Sequence, residues 1–284
     1  MRKTGIVAVF LLLCAILSAC AHSTGQVSGE SISPVLDHIL ESGELVVGTA
    51  GSMPPLNMTT KDGEIIGLEP DMAQLIAAGM GVKLRLETMP FSELLPSLEE
   101  GKIDMILSGM TISSKRNLNV AFVGPYFKSG KAFLTKKKTI AAADDTTEIN
   151  SPDVKLVALK GSTSQLFVQT VLFNATLVTA KDYDEAVDMV IRDEVHALVA
   201  DYPICVVSLI RYPDEGLMSL ITPLTYEPLG IAIPANDPHL VNWTGNFLKT
   251  LEGSGALKKL KERWFENTSW LKKLPERKTG KHNL

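Results

Sequence analysis

From about residue 35 the chain alternates short apolar runs with segments whose apolar residues recur every three to four positions. "GELVVGTA" (43–50), "VKLRLETM" (82–89) and "KIDMILSG" (102–109) have the length and make-up of strands. Between the first two, "PDMAQLIAAGMG" (70–81) sets Met72, Leu75, Ile76 and Gly79 or Met80 on one side. Pro70 near its start and Gly81 just past its end complete a helix signal. "ELLPSLEEG" (93–101) predicts another helix, capped by Ser92, with Pro96 tolerated in or near the first turn. The alternation then repeats. "VKLVALKG" (154–161), "ATLVTA" (175–180) and "VHALVAD" (195–201) predict strands, while 162–173, 183–193 and 202–212 predict helices. Asp182 and Glu185 form an Asp-x-x-Glu capping signal for the middle helix.

Strands and helices alternating at this spacing mean βαβ units and largely parallel sheets. There are two such blocks, 44–134 and 153–222, separated by "TKKKTIAAADDTTEINSPD", which reads as an interlobe surface stretch. After them, 222–237 is extended, and 239–265 is a helix pair carrying Leu248, Leu251, Leu257, Leu260, Trp264 and Phe265. Helices of that kind need a surface to pack on, and the first block is the expected one. The expected class is α/β with two lobes and a cleft between them, each lobe a mostly parallel sheet flanked by helices. Lobe 1 is placed at 35–134 plus 224–270, and lobe 2 at 135–223. Crossovers near Thr135 and Pro223 would form the hinge, and 271–284 would be a tail, with its basic end "ERKTGKHNL" frayed.

Composition adds limits rather than answers. At 284 residues, 45% hydrophobic and 21% charged, the chain can bury one large core or two smaller ones. A formal net charge of −4 gives no reason to expect a nucleic-acid partner. The start, "MRKTGIVAVFLLLCAILSAC", has two basic residues, an apolar run and then small residues, the layout of a secretory signal over 1–19. Leu17-Ser18-Ala19-Cys20 resembles a bacterial lipobox, so Cys20 is expected to be the lipidated first residue, and 20–34 a tether at the membrane surface. Loss of Arg2 and Lys3 would take the charge from −4 to −6. With Cys14 removed and Cys20 lipidated, Cys205 stands alone. It sits in an apolar run, which predicts a buried, inert thiol and no intrachain disulfide.

In an open parallel sheet, ligands bind beyond the carboxyl ends of the strands. Three strands deliver chemistry there: "SGMTISSKR" (108–116), "KGSTS" (160–164) and "DYP" (201–203). Arg116 offers a planar fork of donors suited to a carboxylate. Ser162 and Thr163, at a helix start, offer backbone N–H groups and a positive dipole end. Asp201 offers a negative acceptor, and the carbonyl of Ser108 or Gly109 a neutral one. Each feature alone is ordinary turn or cap chemistry. Together they complement a carboxylate and an ammonium on one carbon, which is an α-amino acid.

These motifs, with "LLPSLEEGKID" and "GPYFKSG", give the chain its resemblance. From about Gly43 to Phe265 it resembles the family 3 bacterial extracellular solute-binding proteins, amino-acid-binding components of ABC importers. The resemblance implies a two-lobed periplasmic-binding-protein-like fold and lobe closure on a small ligand. Position by position, it implies that Arg116 pairs with the ligand α-carboxylate, joined by Thr111 and the N–H of Thr163. Gly109 and Asp201 would take the α-ammonium, and Phe91 would flank the ligand side chain. Ala50, Met53 and Leu56 stand where relatives often carry an aromatic or acidic residue. Met53, Leu56 and Met58 are as consistent with core as with pocket. Lys115 replaces a frequent acidic residue. The expected partners are a small amino acid or related carboxylate and a membrane permease, with no cofactor, no metal and a monomeric state. Two other outcomes occur on such folds: stand-alone sensory binding proteins, and enzymes such as dehydratases. Carboxylates in the cleft such as Glu69 or Asp201 keep the second in view.

The lipobox reading has a direct check. Cys20→Ala is expected to move the protein out of the membrane fraction, and a variant that stays there on fractionation refutes the anchor.

Overall fold

The computed structural model describes residues 31–143, 145–219 and 223–276. The signal sequence, Cys20, most of the tether and the end of the tail lie outside these residues. Among the described residues no helix is long and apolar enough to cross a membrane. In chain order the first elements are α1 (Pro34–Ser42), β1 (Glu44–Thr49), β2 (Ser52–Met53), β3 (Asn57–Thr59), β4 (Ile65–Ile66), α2 (Leu68–Met80) and β5 (Lys83–Thr88). They are followed by α3 (Phe91–Glu99), β6 (Met105–Ile106), β7 (Val120–Ser129), β8 (Lys131–Thr135), the short α4 (Lys138–Ala141), β9 (Lys155–Leu159) and α5 (Thr163–Val171). Then come β10 (Thr176–Ala180), α6 (Tyr183–Ile191), β11 (Ala197–Asp201), α7 (Tyr202–Arg211), β12 (Met218–Ser219), β13 (Glu227–Pro234), α8 (Pro238–Gly253) and α9 (Ala256–Lys261).

Two five-stranded sheets carry the lobes, in orders β5-β1-β6-β13-β7 and β10-β9-β11-β8-β12. In the first, β1 is parallel to β5 and β6, and only β13 runs against its neighbours. In the second, β9 is parallel to β10 and β11, and only β8 runs against its neighbours. The single reversed strand in each sheet follows from the crossovers. A chain leaving one lobe at the carboxyl ends of its strands enters the other at the same end, and so travels backwards relative to the strands there.

The crossover lies earlier than the apolar pattern suggests. β8 was assigned by pattern to the first block, but it pairs with β11 over five residues in the second sheet. The strand character of 120–135 is almost continuous, so hydrophobicity alone cannot mark the change of sheet. Gly130 marks it: a Cβ there would lie 2.1 Å from the Thr225 carbonyl oxygen on the returning segment. The two segments are also bonded, with the Leu224 N–H donating to the Lys131 carbonyl (2.8 Å) and the Lys131 N–H to the Thr225 hydroxyl (3.0 Å).

Other expectations are corrected by packing. The polar stretch 135–153 is not merely a surface passage, because Ile140 and Ile149 bury against Phe133, Leu156, Val168 and Leu172 of the second lobe. Ser92 is not a cap: α3 begins at Phe91 directly after Pro90, with no side-chain cap, and Pro96 lies inside it. Pro90 supplies the entry, its fixed ring holding φ at −52°. Packed structure begins by Ser33, whose hydroxyl donates to Asp237 (2.7 Å), the residue that also caps α8 through the Leu240 N–H (2.8 Å). At the other end Trp270 and Leu274 are buried, so the packed chain runs past 270. They join Leu248, Leu251, Leu257 and Trp264 around Leu45, Met72 and Ile76 in one apolar cluster of the first lobe. The Trp264 indole N–H donates to Asp71 (2.8 Å), satisfying the one polar atom of that side chain. The Asp182 cap forms as its spacing predicts, accepting the Glu185 N–H at 2.8 Å.

Because the Thr225 backbone cannot retreat without breaking the paired crossover, Gly130→Ala is expected to lower stability by about 1–3 kcal/mol through overpacking. Urea unfolding measures this; an unchanged midpoint would mean the crossing is slack.

Candidate ligand-binding cleft

The loop after β6 is held from both sides before it presents any side chain to the cleft. Gly109 adopts φ +57°, and a Cβ there would sit 2.6 Å from the Met53 Cε. Its N–H donates to Glu69 Oε1 (2.6 Å), the oxygen that also accepts the Tyr126 hydroxyl, while Asn57 donates to Oε2 (2.5 Å). The Ser108 hydroxyl accepts the Ala50 N–H (2.8 Å). On the other side, Ile112 donates to the Pro228 carbonyl (2.8 Å) and Gly230 to that of Met110 (3.0 Å), tying the loop to β13. Glu69 is fully buried, and burial raises its pKa despite the three hydrogen bonds that favour the ionised form.

Thr111 and Arg116 leave this anchored loop toward the second lobe. Arg116 starts a single 3₁₀ turn, and its guanidinium lies over the Phe91 ring at 5.6 Å from the centroid. It donates from Nη1 to the Thr111 carbonyl (3.0 Å) and from Nη2 to the Gly161 carbonyl (3.2 Å) across the cleft. Burial lowers its pKa to about 10, with Asp201 and Glu227 acting against that shift, so it stays cationic at neutral pH.

On the facing side, α5 begins at Thr163 with Ser162 as its cap, the Ser162 hydroxyl accepting the Gln165 N–H (3.0 Å). The Gln165 side chain in turn accepts the Gly161 N–H (2.7 Å). At the centre of the cleft lies a charged residue that pattern analysis missed. Lys131, the first residue of β8, is 1% exposed. Its ammonium donates to Asp201 Oδ1 (2.8 Å) and Thr163 Oγ1 (2.7 Å), and lies 3.2 Å from Glu227 Oε2. The Thr163 hydroxyl donates to Glu227 Oε2 (3.1 Å) and meets the Thr111 hydroxyl at 3.3 Å. Every hydrogen-bonding position of that hydroxyl is therefore used.

Five of the expected site residues thus converge: Arg116, Phe91, Thr111, Thr163 and Asp201. Two residues, Ser162 and Asp201, are employed differently. Ser162 does not offer a free N–H, since that group donates to the Leu159 carbonyl (3.2 Å) and its hydroxyl closes the cap. The Gly109 N–H and the Ser108 hydroxyl bond back into the first lobe, where they brace the loop; the carbonyls of these two residues, the groups expected at the ligand, take no part in those bonds. Asp201 is already paired with Lys131 rather than open to an incoming ammonium. Met53, Leu56 and Met58 are at most 2% exposed and belong to the core. Cys205 is buried with its thiol pushed up to about 12 by desolvation, and His196 accepts the Lys155 N–H (2.8 Å) as a structural partner. Lys131 and Glu227 carried one faint signal: each is a charged residue that opens an apolar run.

Two lobes, reversed crossover strands and a charged cleft at the strand ends define the binding-protein fold. The profile of the bacterial extracellular solute-binding proteins, family 3, matches residues 45–267, and the chain belongs to that family. It is 28% identical over 275 residues to the ABC transporter glutamine-binding protein GlnH of Bacillus subtilis, covering 94% of this chain and 98% of that one. It is also 26% identical to the cyclohexadienyl dehydratase of Pseudomonas aeruginosa, covering 87% and 92%. Among solved structures, a binding component of an ABC transporter from Wolinella succinogenes complexed with lysine superposes with a TM-score of 0.77 at 38% identity, covering 81% of this chain and 99% of the other. An ancestral amino-acid-binding protein described as a precursor of cyclohexadienyl dehydratase gives 0.74 at 33%, again covering 81% and 99%.

The brace at Glu69 can be tested on its own. Its raised pKa means the folded state keeps that proton to higher pH than the unfolded chain does. The group's contribution to stability therefore falls as pH rises from the ordinary glutamate range toward the raised value. Glu69→Ala strands three donors and is expected to cost about 1–3 kcal/mol. In urea titrations the gap from wild type should be widest at acid pH and narrow as pH rises through that window.

Proposed function

We propose that this chain is the extracytoplasmic solute-binding component of an ABC importer. It binds an amino acid or a related small carboxylate between its two lobes and docks, closed and as a lipid-anchored monomer, on a membrane permease. The observation that carries the reading is Arg116. It is a cation at the strand ends of the first lobe, backed by an aromatic face and aimed across the cleft at the start of α5. An arginine fork and a helix N-terminus facing each other are a carboxylate site in chemical terms. Contacts that bridge the lobes at the same point, Arg116 with Gly161, Thr111 with Thr163 and Thr163 with Glu227, give closure a physical basis.

A second reading has a specific observation behind it. Lys131, Asp201 and Glu227 put two carboxylates within 3.2 Å of one ammonium near the arginine, and such a set can move protons as well as bind. The similarity to a dehydratase fits that reading. Binding without turnover remains the conclusion, since most of the similar proteins are binding proteins.

One experiment separates these outcomes. A thermal-shift screen of amino acids and small carboxylic acids selects a ligand. Titration calorimetry with wild type and Arg116→Ala should then show a loss of about 30- to 5000-fold, the effect of truncating one partner of a desolvated charged pair. NMR of the recovered ligand should show it unchanged. Undiminished affinity in folded Arg116→Ala overturns the carboxylate site, and a new product overturns binding alone.

A further inference from the structure

The position that needs explaining is Asp201. In a cleft that holds an α-amino acid through opposed charges, the carboxylate facing the arginine must be free to receive the ligand's ammonium. Here it is not free. The Lys131 Nζ donates to two acceptors, Asp201 Oδ1 and Thr163 Oγ1 at 2.8 and 2.7 Å, and forms an ion pair with Glu227 Oε2 at 3.2 Å. That is the arrangement of a bound ammonium, supplied by the protein itself. Both partners are nearly as inaccessible as the lysine, with side-chain exposures of 6% for Asp201 and 12% for Glu227. Glu227 is engaged at both oxygens, since its Oε1 accepts the Thr225 hydroxyl (3.2 Å).

We propose that Lys131 is a tethered ammonium filling the place of a ligand's α-ammonium, so that the cleft selects carboxylic acids lacking an α-amino group, such as 2-oxo and 2-hydroxy acids. The inference rests on the reading of Arg116 as the carboxylate clamp and narrows the ligand class. An amino acid entering this cleft would bring a second ammonium against Lys131. It would either suffer like-charge repulsion at close range or force the lysine out of contacts that its buried stem cannot follow. A 2-oxo or 2-hydroxy acid presents an oxygen at the same carbon. That oxygen can accept from the third Lys131 N–H, the one not hydrogen-bonded to Asp201 or Thr163, without displacing a charge.

Lys131 also explains why the specificity would be rigid. It opens β8, whose five residues are all buried and paired with β11, so the ammonium is positioned by the sheet rather than by a mobile loop. Its stem runs inside the packed crossover.

The test uses matched pairs that differ only at the α-position: phenylalanine and phenylpyruvate, glutamate and 2-oxoglutarate, leucine and 4-methyl-2-oxopentanoate. Each is titrated against wild type, Lys131→Met, Lys131→Gln and Arg116→Ala. In wild type the oxo acid of at least one pair should bind, with its amino acid about tenfold weaker or worse. Lys131→Met releases Asp201 and should turn the preference toward the amino acid. If that variant does not fold, Lys131→Gln serves instead, since it removes the charge but keeps an N–H donor. It should at least erase the preference for the oxo acid, whereas an unchanged preference overturns the tethered ammonium. An amino acid preferred by wild type, with its binding lost in Arg116→Ala, overturns the tethered ammonium and leaves the carboxylate clamp standing. Binding that ignores Arg116→Ala, or no binding in any pair, overturns the clamp and this inference with it.

Discussion

One buried ammonium organises the centre of this molecule. A charge removed from water must be compensated on the spot, and Lys131 is compensated by groups from four different places: the end of β11, the start of α5, the start of β13 and, through Thr163, the loop after β6. Two of these belong to the first sheet or its loops and two to the second, so the groups that satisfy Lys131 also join the two lobes. Removing one partner from such a set typically costs about 3–5 kcal/mol, which is large against the whole stability of a domain.

The location of that charge is a consequence of topology. Lys131 and Glu227 are the first residues of β8 and β13, the two strands that carry the chain between lobes and run against their neighbours. Gly130 lets the outgoing and returning segments cross at backbone distance, and this brings the two side chains together. Around this fixed point the binding surface is built from short loops, each restrained away from the cleft. Glu69 and β13 hold 108–112 from opposite sides, and the Ser162–Gln165 cap holds the start of α5. The side chains that face the cleft are therefore positioned by bonds that face elsewhere, as a preformed site requires.

Comparing pattern with structure shows which kinds of information the chain displays openly. Arg116, Thr111, Thr163 and Asp201 were legible because strand ends are legible: an apolar run that stops and turns polar marks where a parallel sheet presents its loops, whereas Phe91 came from the family resemblance alone. Ser162, Gly109 and Ser108 were legible as members of those loops, but the cap at Ser162 and the bracing bonds of the Gly109 N–H and the Ser108 hydroxyl were not. Whether a hydroxyl or an N–H faces a ligand or braces a turn depends on partners 40 to 58 positions away, such as Glu69 for Gly109 and Ala50 for Ser108. Glu69 was seen only as a possible acid in the cleft, and its role as a buried brace needs Tyr126 and Asn57 beside it.

The amino-acid sequence by itself determined the alternation of strands and helices, the two α/β blocks, the helices left over for the first of them, and the loops that carry binding chemistry. All of these follow from periodicity, turn residues and capping signals that act over a few residues. Only the tertiary structure decided where one lobe ends, because β7 and β8 form nearly one run and differ only in which sheet they pair with. It alone decided that Met53, Leu56 and Met58 are core, and that a lysine rather than open space stands opposite Asp201. Lys131 and Asp201 are 70 positions apart, and Lys131 and Glu227 are farther apart still. Charge compensation in a buried site depends on distance in space, and no local pattern along the chain encodes it.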